Sequence, residues 1–295
     1  MSDSGVHSNE IHENAERALQ DAHLQEAYRS STLRLYTHRL NALLEIPGFQ
    51  KLRQRAHELK REVMDHLDFY LSQFADNVER RGGKVHWATT AAEACDIVRK
   101  IAENAGAREI VKAKTMVSEE IELNHALEAA GIEPFETDLG EFIVQLSGHR
   151  PAHIVAPAMH LTRHDVSELF TRKIHSQPTD VPEELTAIAR AALREKFERA
   201  PMGLSGANFA VAETGTIVLI ENEGNIRFST TAPRVHVALV GIEKVIPRFS
   251  DLAVFLRILG RSATGQKMTV YTSLLTGPRR PGADGPDEFH VVLVA

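Results

Sequence analysis

The chain has 295 residues, 43% of them hydrophobic and 25% charged, a composition that can bury a large core and excludes disordered and collagen-like classes. Its formal charge of −6 gives no net attraction to nucleic acid or an anionic membrane, and apolar runs such as 237–242 fall far short of the roughly 18 to 20 residues that span a bilayer. A single cysteine, Cys95, excludes an internal disulfide, a four-cysteine zinc site and a self-contained iron–sulfur cluster.

The segment 1–9 is polar, with neither a basic n-region nor an apolar h-region, so a cytoplasmic location is expected. The first thirty residues are too poor in apolar positions to build a core and read as an arm, partly helical from about Glu13. Between Phe49 and Arg80, Leu52, Ala56, Leu59, Val63, Leu67, Leu71 and Phe74 recur at threes and fours, which predicts one long amphipathic helix. Residues 1–80 are therefore expected to form an arm and helical extension, and 81–295 an α/β domain. Lys84 to Ala88 reads as a strand, and Thr90 through Glu93 as a capping box opening a helix to Asn104. A second unit follows, with a strand from Glu109 to Lys114 and a helix from about Ser118.

Three further strands are expected at 132–137, 142–146 and 153–156, then helices at 162–174 and 183–199. After these the texture shifts to short strands at 208–212, 216–221 and 226–230, joined by the turn residues Glu213-Thr214-Gly215 and Asn222-Glu223-Gly224-Asn225. A strand at 235–241, a helix at 249–259, a strand at 269–273 and a Gly/Pro-rich excursion at 277–288 precede the apolar run 291–295, a last strand or a cut one. This alternation predicts a mostly parallel, doubly wound α/β sheet with a β-rich C-terminal portion. No fixed-period repeat is evident.

Neither G-x-G-x-x-G nor G-x-x-x-x-G-K-[ST] occurs, and Gly203-Leu204-Ser205-Gly206 is only a weak substitute for a phosphate cradle. G-x-S-x-G and H-E-x-x-H are also missing. Lys112 and Lys114 lie at the end of a strand before a helix, where α/β folds bind ligands, so they read either as an anion site or as solvated edge lysines, with Glu119 and Glu120 opposing an anion. Asn208 to Thr216 delivers a carboxylate, hydroxyls and a glycine to a tight turn, with Glu213 and Thr214 as catalytic candidates and Asn208 and Thr216 as polar contacts. Arg234 and His236 flank the next strand, where an arginine can clamp a carboxylate or phosphate. Geometry suggests one crevice for a small anion, with Lys112 and Lys114 facing the 213–216 turn, Arg234 nearby and Glu213 as base or orienter. His149, His153, His160 and His164 have only suggestive metal spacing, Arg150-Pro151 forbids a regular helix through the first pair, and no metal is assigned. Cys95 reads as a buried small hydrophobe.

Four stretches, Val111 to Ile121, Asp138 to Leu146, Ala207 to Thr216 and Pro233 to Lys244, resemble the LUD domain of the lactate utilisation protein family, most closely its iron–sulfur subunit type. The resemblance covers about residues 30–295. It implies a fold of the NagB/RpiA/CoA-transferase type and an oxidoreductase component that takes part in oxidising L-lactate to pyruvate. Electrons would pass through 4Fe-4S clusters of the full-length family protein, with none within this chain. The implied partners are other lactate utilisation subunits and a small carboxylate substrate, with no nucleic acid and no membrane span; homo-oligomerisation stays open. Family members of this type continue into a cysteine-rich ferredoxin-like region that these residues lack, which implies an isolated LUD domain or a shortened chain. The same fold similarity raises two rivals: acyl or CoA transfer with Glu213 as nucleophile, and a non-catalytic docking domain.

Overall fold

Alternate apolar residues serve two separate cores in the central strands. In the strand Val235–Gly241, Val235, Val237 and Leu239 join one buried cluster while Ala238 and Val240 join another, which requires a sheet covered on both faces. The computed structural model describes residues 8–149 and 156–295. The N-terminal helices are α1 (Ser8–Gln20), α2 (Ala22–Leu44), α3 (Phe49–Asp65) and α4 (Leu67–Arg80). Next come β1 (Lys84–Ala88), α5 (Ala91–Asn104), β2 (Glu109–Lys112), α6 (Met116–Glu120), α7 (Leu123–Ala129), β3 (Glu133–Glu136) and α8 (Leu139–Ser147). After the undescribed stretch 150–155 the chain forms α9 (Arg163–Ile174), α10 (Pro182–Arg199), β4 (Met202–Ser205), β5 (Phe209–Val211), β6 (Thr216–Glu221) and α11 (Asn225–Thr231). It finishes with β7 (Val235–Gly241), β8 (Val245–Ile246), α12 (Leu252–Ala263), β9 (Tyr271–Leu275) and β10 (Glu288–Val294).

The main sheet has six strands in the order β1-β10-β7-β4-β2-β3, and every neighbouring pair is parallel. The chain is thus α/β with a mostly parallel sheet, as the alternation predicts. One face is covered by α5 and α7, through Ala94, Val98, Ile101, Leu123 and Leu127. The opposite face carries Phe74 and Val78 of α4 together with a second, four-stranded sheet in the order β8-β5-β6-β9. Leu59 of α3 packs with Leu252 and Phe255 of α12, and α2 ties to α12 where Arg39 donates to the Ser262 carbonyl at 3.1 Å. Among the described residues no helix is long and apolar enough to cross a membrane.

Three expectations need correction. The apolar run 142–146 lies in the helix α8, because Asp138 accepts the Glu141 N–H at 3.1 Å and caps it. The run 226–230 is also helical, since the Glu221 carboxylate takes the N–H groups of Ile226 and Arg227 at 2.8 and 2.9 Å. The helix expected from Phe49 to Arg80 is broken at His66, whose backbone (φ −135, ψ 40) leaves the helical region. The strand expected at 153–156 falls almost wholly outside the described residues. Strand β4 was not anticipated, and its Gly203 explains itself by packing. A Cβ there would lie 1.8 Å from the Ser229 carbonyl oxygen, so glycine lets α11 press directly on the sheet. Gly206 similarly admits Thr115, whose Oγ1 would lie 2.6 Å from an added Cβ. The weak phosphate cradle is thereby accounted for as two close packing points.

Candidate functional site

Lys112 ends β2 and pairs in parallel register with Glu136 at the end of β3, which puts both side chains on one face. Helix α6 starts four residues later and returns Glu119 to the same place. The Lys112 Nζ, with a side chain 0% exposed, lies 2.5 Å from Glu136 Oε1 and 2.9 Å from Glu119 Oε1. Asn124 Nδ2 donates to the same Glu136 oxygen at 3.1 Å. Burial by itself would lower the lysine's pKa, but the charges of Glu136 and Glu119 and their hydrogen bonds outweigh it and the net shift is upward. Lys112 is a fully committed cation.

Two residues on, Lys114 Nζ sits 2.6 Å from Glu141 Oε1 of α8, a charge contact whose direction is poor for a hydrogen bond. Burial raises the Glu141 pKa, with Lys114 opposing. Glu136 Oε2 and Asn124 Oδ1 are likewise buried without a hydrogen-bond partner. The carboxyl ends of β2 and β3 thus hold two lysines, three glutamates and an asparagine with spare polar capacity. Lys114 is the cation of this group that keeps hydrogen-bonding capacity, its side chain partly exposed and its Nζ buried.

The single crevice anticipated from the strand ends does not form. Arg234 precedes β7 at the amino end of the sheet, opposite the end that carries Lys112, and binds Glu288 at 3.1 Å. Glu288 also pairs with Lys84 at 2.8 Å, and that hydrogen bond above all brings its pKa down to about 2. His236 is wholly buried on β7, with Nε2 2.9 Å from Ser205 Oγ; desolvation, then the His290 charge, pushes its pKa down to about 3. Asn208 Oδ1 accepts the Ile220 N–H at 2.8 Å and pins the β5–β6 hairpin. Glu213 is exposed at that hairpin's turn, where its carboxylate accepts the Phe249 N–H at 2.8 Å and its carbonyl accepts from Asn77 of α4 at 3.1 Å. The hydroxyls of Thr214 and Thr216 meet at 2.7 Å beside it. The turn belongs to the second sheet and α4, so it does not face the lysines.

A cleft of about 710 Å³ opens instead between α10, α11 and the turn after β3. Its walls include Thr137 and Leu139, Arg190, Leu193 and Phe197 of α10, and Glu223 and Phe228. Thr137 Oγ1 donates to the Lys112 carbonyl at 3.0 Å and lies 3.2 Å from Ser229 Oγ. The segment 136–139 therefore borders the ionic cluster on one side and the cleft on the other. Glu223 sits at the solvent lip, yet desolvation first and Asp138 second raise its pKa, and Oε2 accepts the Leu139 N–H at 3.3 Å.

Residues 71–294 match the family model of the LUD domain. This chain belongs to the LUD-domain family. It is 42% identical over 291 residues to Lactate utilization protein B of Anoxybacillus flavithermus, covering 98% of this chain and 62% of that protein. Identity is 44% over 278 residues to the protein of that name from Bacillus licheniformis, covering 94% and 58%. It is 43% over 284 residues to the Bacillus subtilis one, covering 96% and 59%. The chain thus spans about three-fifths of the length of these relatives. Among solved structures, a duf162 family protein from Deinococcus radiodurans aligns with a TM-score of 0.45 at 17% identity, over 77% of this chain and 98% of that one.

The LUD match runs from α4 through β10 and so takes in both the ionic cluster and the cleft. In this LUD domain Cys95 is buried, its thiol donates to the Ile121 carbonyl at 3.3 Å, and burial, then Glu122, raises its pKa. A single thiol so placed does not fit an iron–sulfur cluster, which needs several thiolates. Among the described residues no three His, Cys, Asp or Glu side chains gather as a metal site. His149 Nδ1 and His160 Nε2 do meet, at 3.1 Å, while His164 faces Glu168 and Asp180; His153 lies outside the described residues. Glu136, Glu141, Asn124, Arg190 and Phe228 did not stand out from the sequence. Only Glu119 had a signal, as the acid expected to oppose an anion at Lys112.

Proposed function

We propose that this chain is the LUD region of a protein that takes part in oxidising L-lactate to pyruvate, in the cytoplasm and in concert with other lactate utilisation subunits. The observation that carries the reading is 42–44% identity over 94–98% of the chain to proteins named Lactate utilization protein B. Clusters that accept the electrons would be ligated by residues outside these 295, because Cys95 is the only thiol here. Within the domain, Lys114 is the cation we assign to meeting a small carboxylate, since Lys112 is saturated by Glu119 and Glu136 whereas Lys114 Nζ contacts Glu141 alone and makes no hydrogen bond.

Deletion of the gene from its host tests the role. Growth on L-lactate as sole carbon source should be lost and restored by a plasmid copy, while growth on pyruvate stays normal. A deletion strain that grows normally on L-lactate overturns the proposal.

A further inference from the structure

We propose that the cleft between α10, α11 and the turn after β3 binds a planar-ring anion of mononucleotide size. The inference is independent of the lactate reading. Volume comes first: about 710 Å³ lies within the roughly 300–1,000 Å³ typical of sites for drug-sized ligands and is far larger than a three-carbon acid requires.

The lining is divided chemically. Leu139, Leu193, Phe197 and Phe228 supply an apolar and aromatic surface, with the two phenylalanine rings 5.5 Å apart and tilted by 46°. Phe228 is 60% exposed despite its size, and it presents a ring to the cleft that the core does not use. On α10, Arg194 is held by Glu198 and Arg199 by Glu195, but Arg190 has no ion-pair partner among the described residues. Its guanidinium is free to take a phosphate or carboxylate in bidentate fashion.

Glu223 stands at the lip with its pKa raised by desolvation, and its carboxylate is an acceptor for N–H groups on a ring edge. Arginine for the anion, phenylalanine for the ring face and a carboxylate for ring N–H groups are the three contacts that a mononucleotide-type molecule needs. Base–aromatic stacking and a charge-assisted hydrogen bond are each large enough to change affinity about tenfold.

Titration calorimetry with adenosine monophosphate and flavin mononucleotide, against inorganic phosphate and L-lactate as ringless anions, tests the site. At least one ring-bearing probe should bind at the cleft, more tightly than either ringless anion. Phe228→Ala and Arg190→Ala, both at exposed positions, should each weaken that binding about tenfold without changing the melting temperature. Failure of both nucleotides to bind at millimolar concentration, or unchanged affinity in both variants, overturns the proposal. A normal lactate growth phenotype has no bearing on it, so the two readings fail separately.

Discussion

Replacing Lys112 by methionine removes the ammonium but keeps much of the buried volume. Glu136, only 4% exposed, then keeps its charge in the interior with the Asn124 amide as its remaining side-chain donor. Breaking a buried ion pair from one side typically costs about 3–5 kcal/mol. Asn124 remains and Glu119 is 37% exposed, so the expected loss is at the lower end, about 3 kcal/mol. At about 2–4 °C per kcal/mol for large domains, Lys112→Met should melt about 6–12 °C below wild type at pH 8. Adding Glu136→Gln should recover at least half of the loss, because no charge is then stranded. Scanning fluorimetry of the three proteins at pH 8 measures all of this. A drop below about 2 °C for Lys112→Met, or a double variant no better than the single one, would refute the assignment of Lys112 as a saturated buried cation.

His236 and His290 have pKa values lowered to about 3 and about 4, so unfolding releases them to take up protons below about 6.5; urea midpoints should fall as pH drops from 6.5 toward 4, and His236→Phe should flatten part of that slope. Gly203→Ala should destabilise the fold by about 2 kcal/mol or more, read as a lower melting temperature, because its methyl group collides with the Ser229 carbonyl of α11. Removal of residues 1–30 should leave a folded protein by circular dichroism, because the contacts of α2 with α12 involve Arg39 and Ala42; an unfolded product would place the arm in the core.

The parallel sheet was legible because its signals are local. The Thr90 cap and the turn glycines delimit βα units, and β7 alternates between two cores along one short run. Where local signals conflict, capping decided against residue type. The runs 142–146 and 226–230 favour strands through their β-branched and aromatic residues, yet Asp138 and Glu221 bind the first-turn N–H groups and helices result. The candidate site was legible only in half. Lys112 and Lys114 could be placed at a strand end from sequence, but the carboxylates that neutralise them are supplied by Glu136 and Glu141, which only the β2–β3 pairing and the position of α8 bring near. Arg234 illustrates the converse. It is close in sequence to buried β7 residues, yet it stands at the sheet's other end.

The proposed oxidation of L-lactate provides the most direct test of the account. Oxidation of one L-lactate to one pyruvate releases two electrons and two protons. Extracts of the host, with its other L-lactate-oxidising enzymes deleted, should reduce a two-electron dye in one-to-one proportion to the pyruvate formed. That activity should vanish when the gene carrying this chain is deleted, and return with the intact gene. Full lactate-dependent dye reduction in the deletion extract would contradict the account.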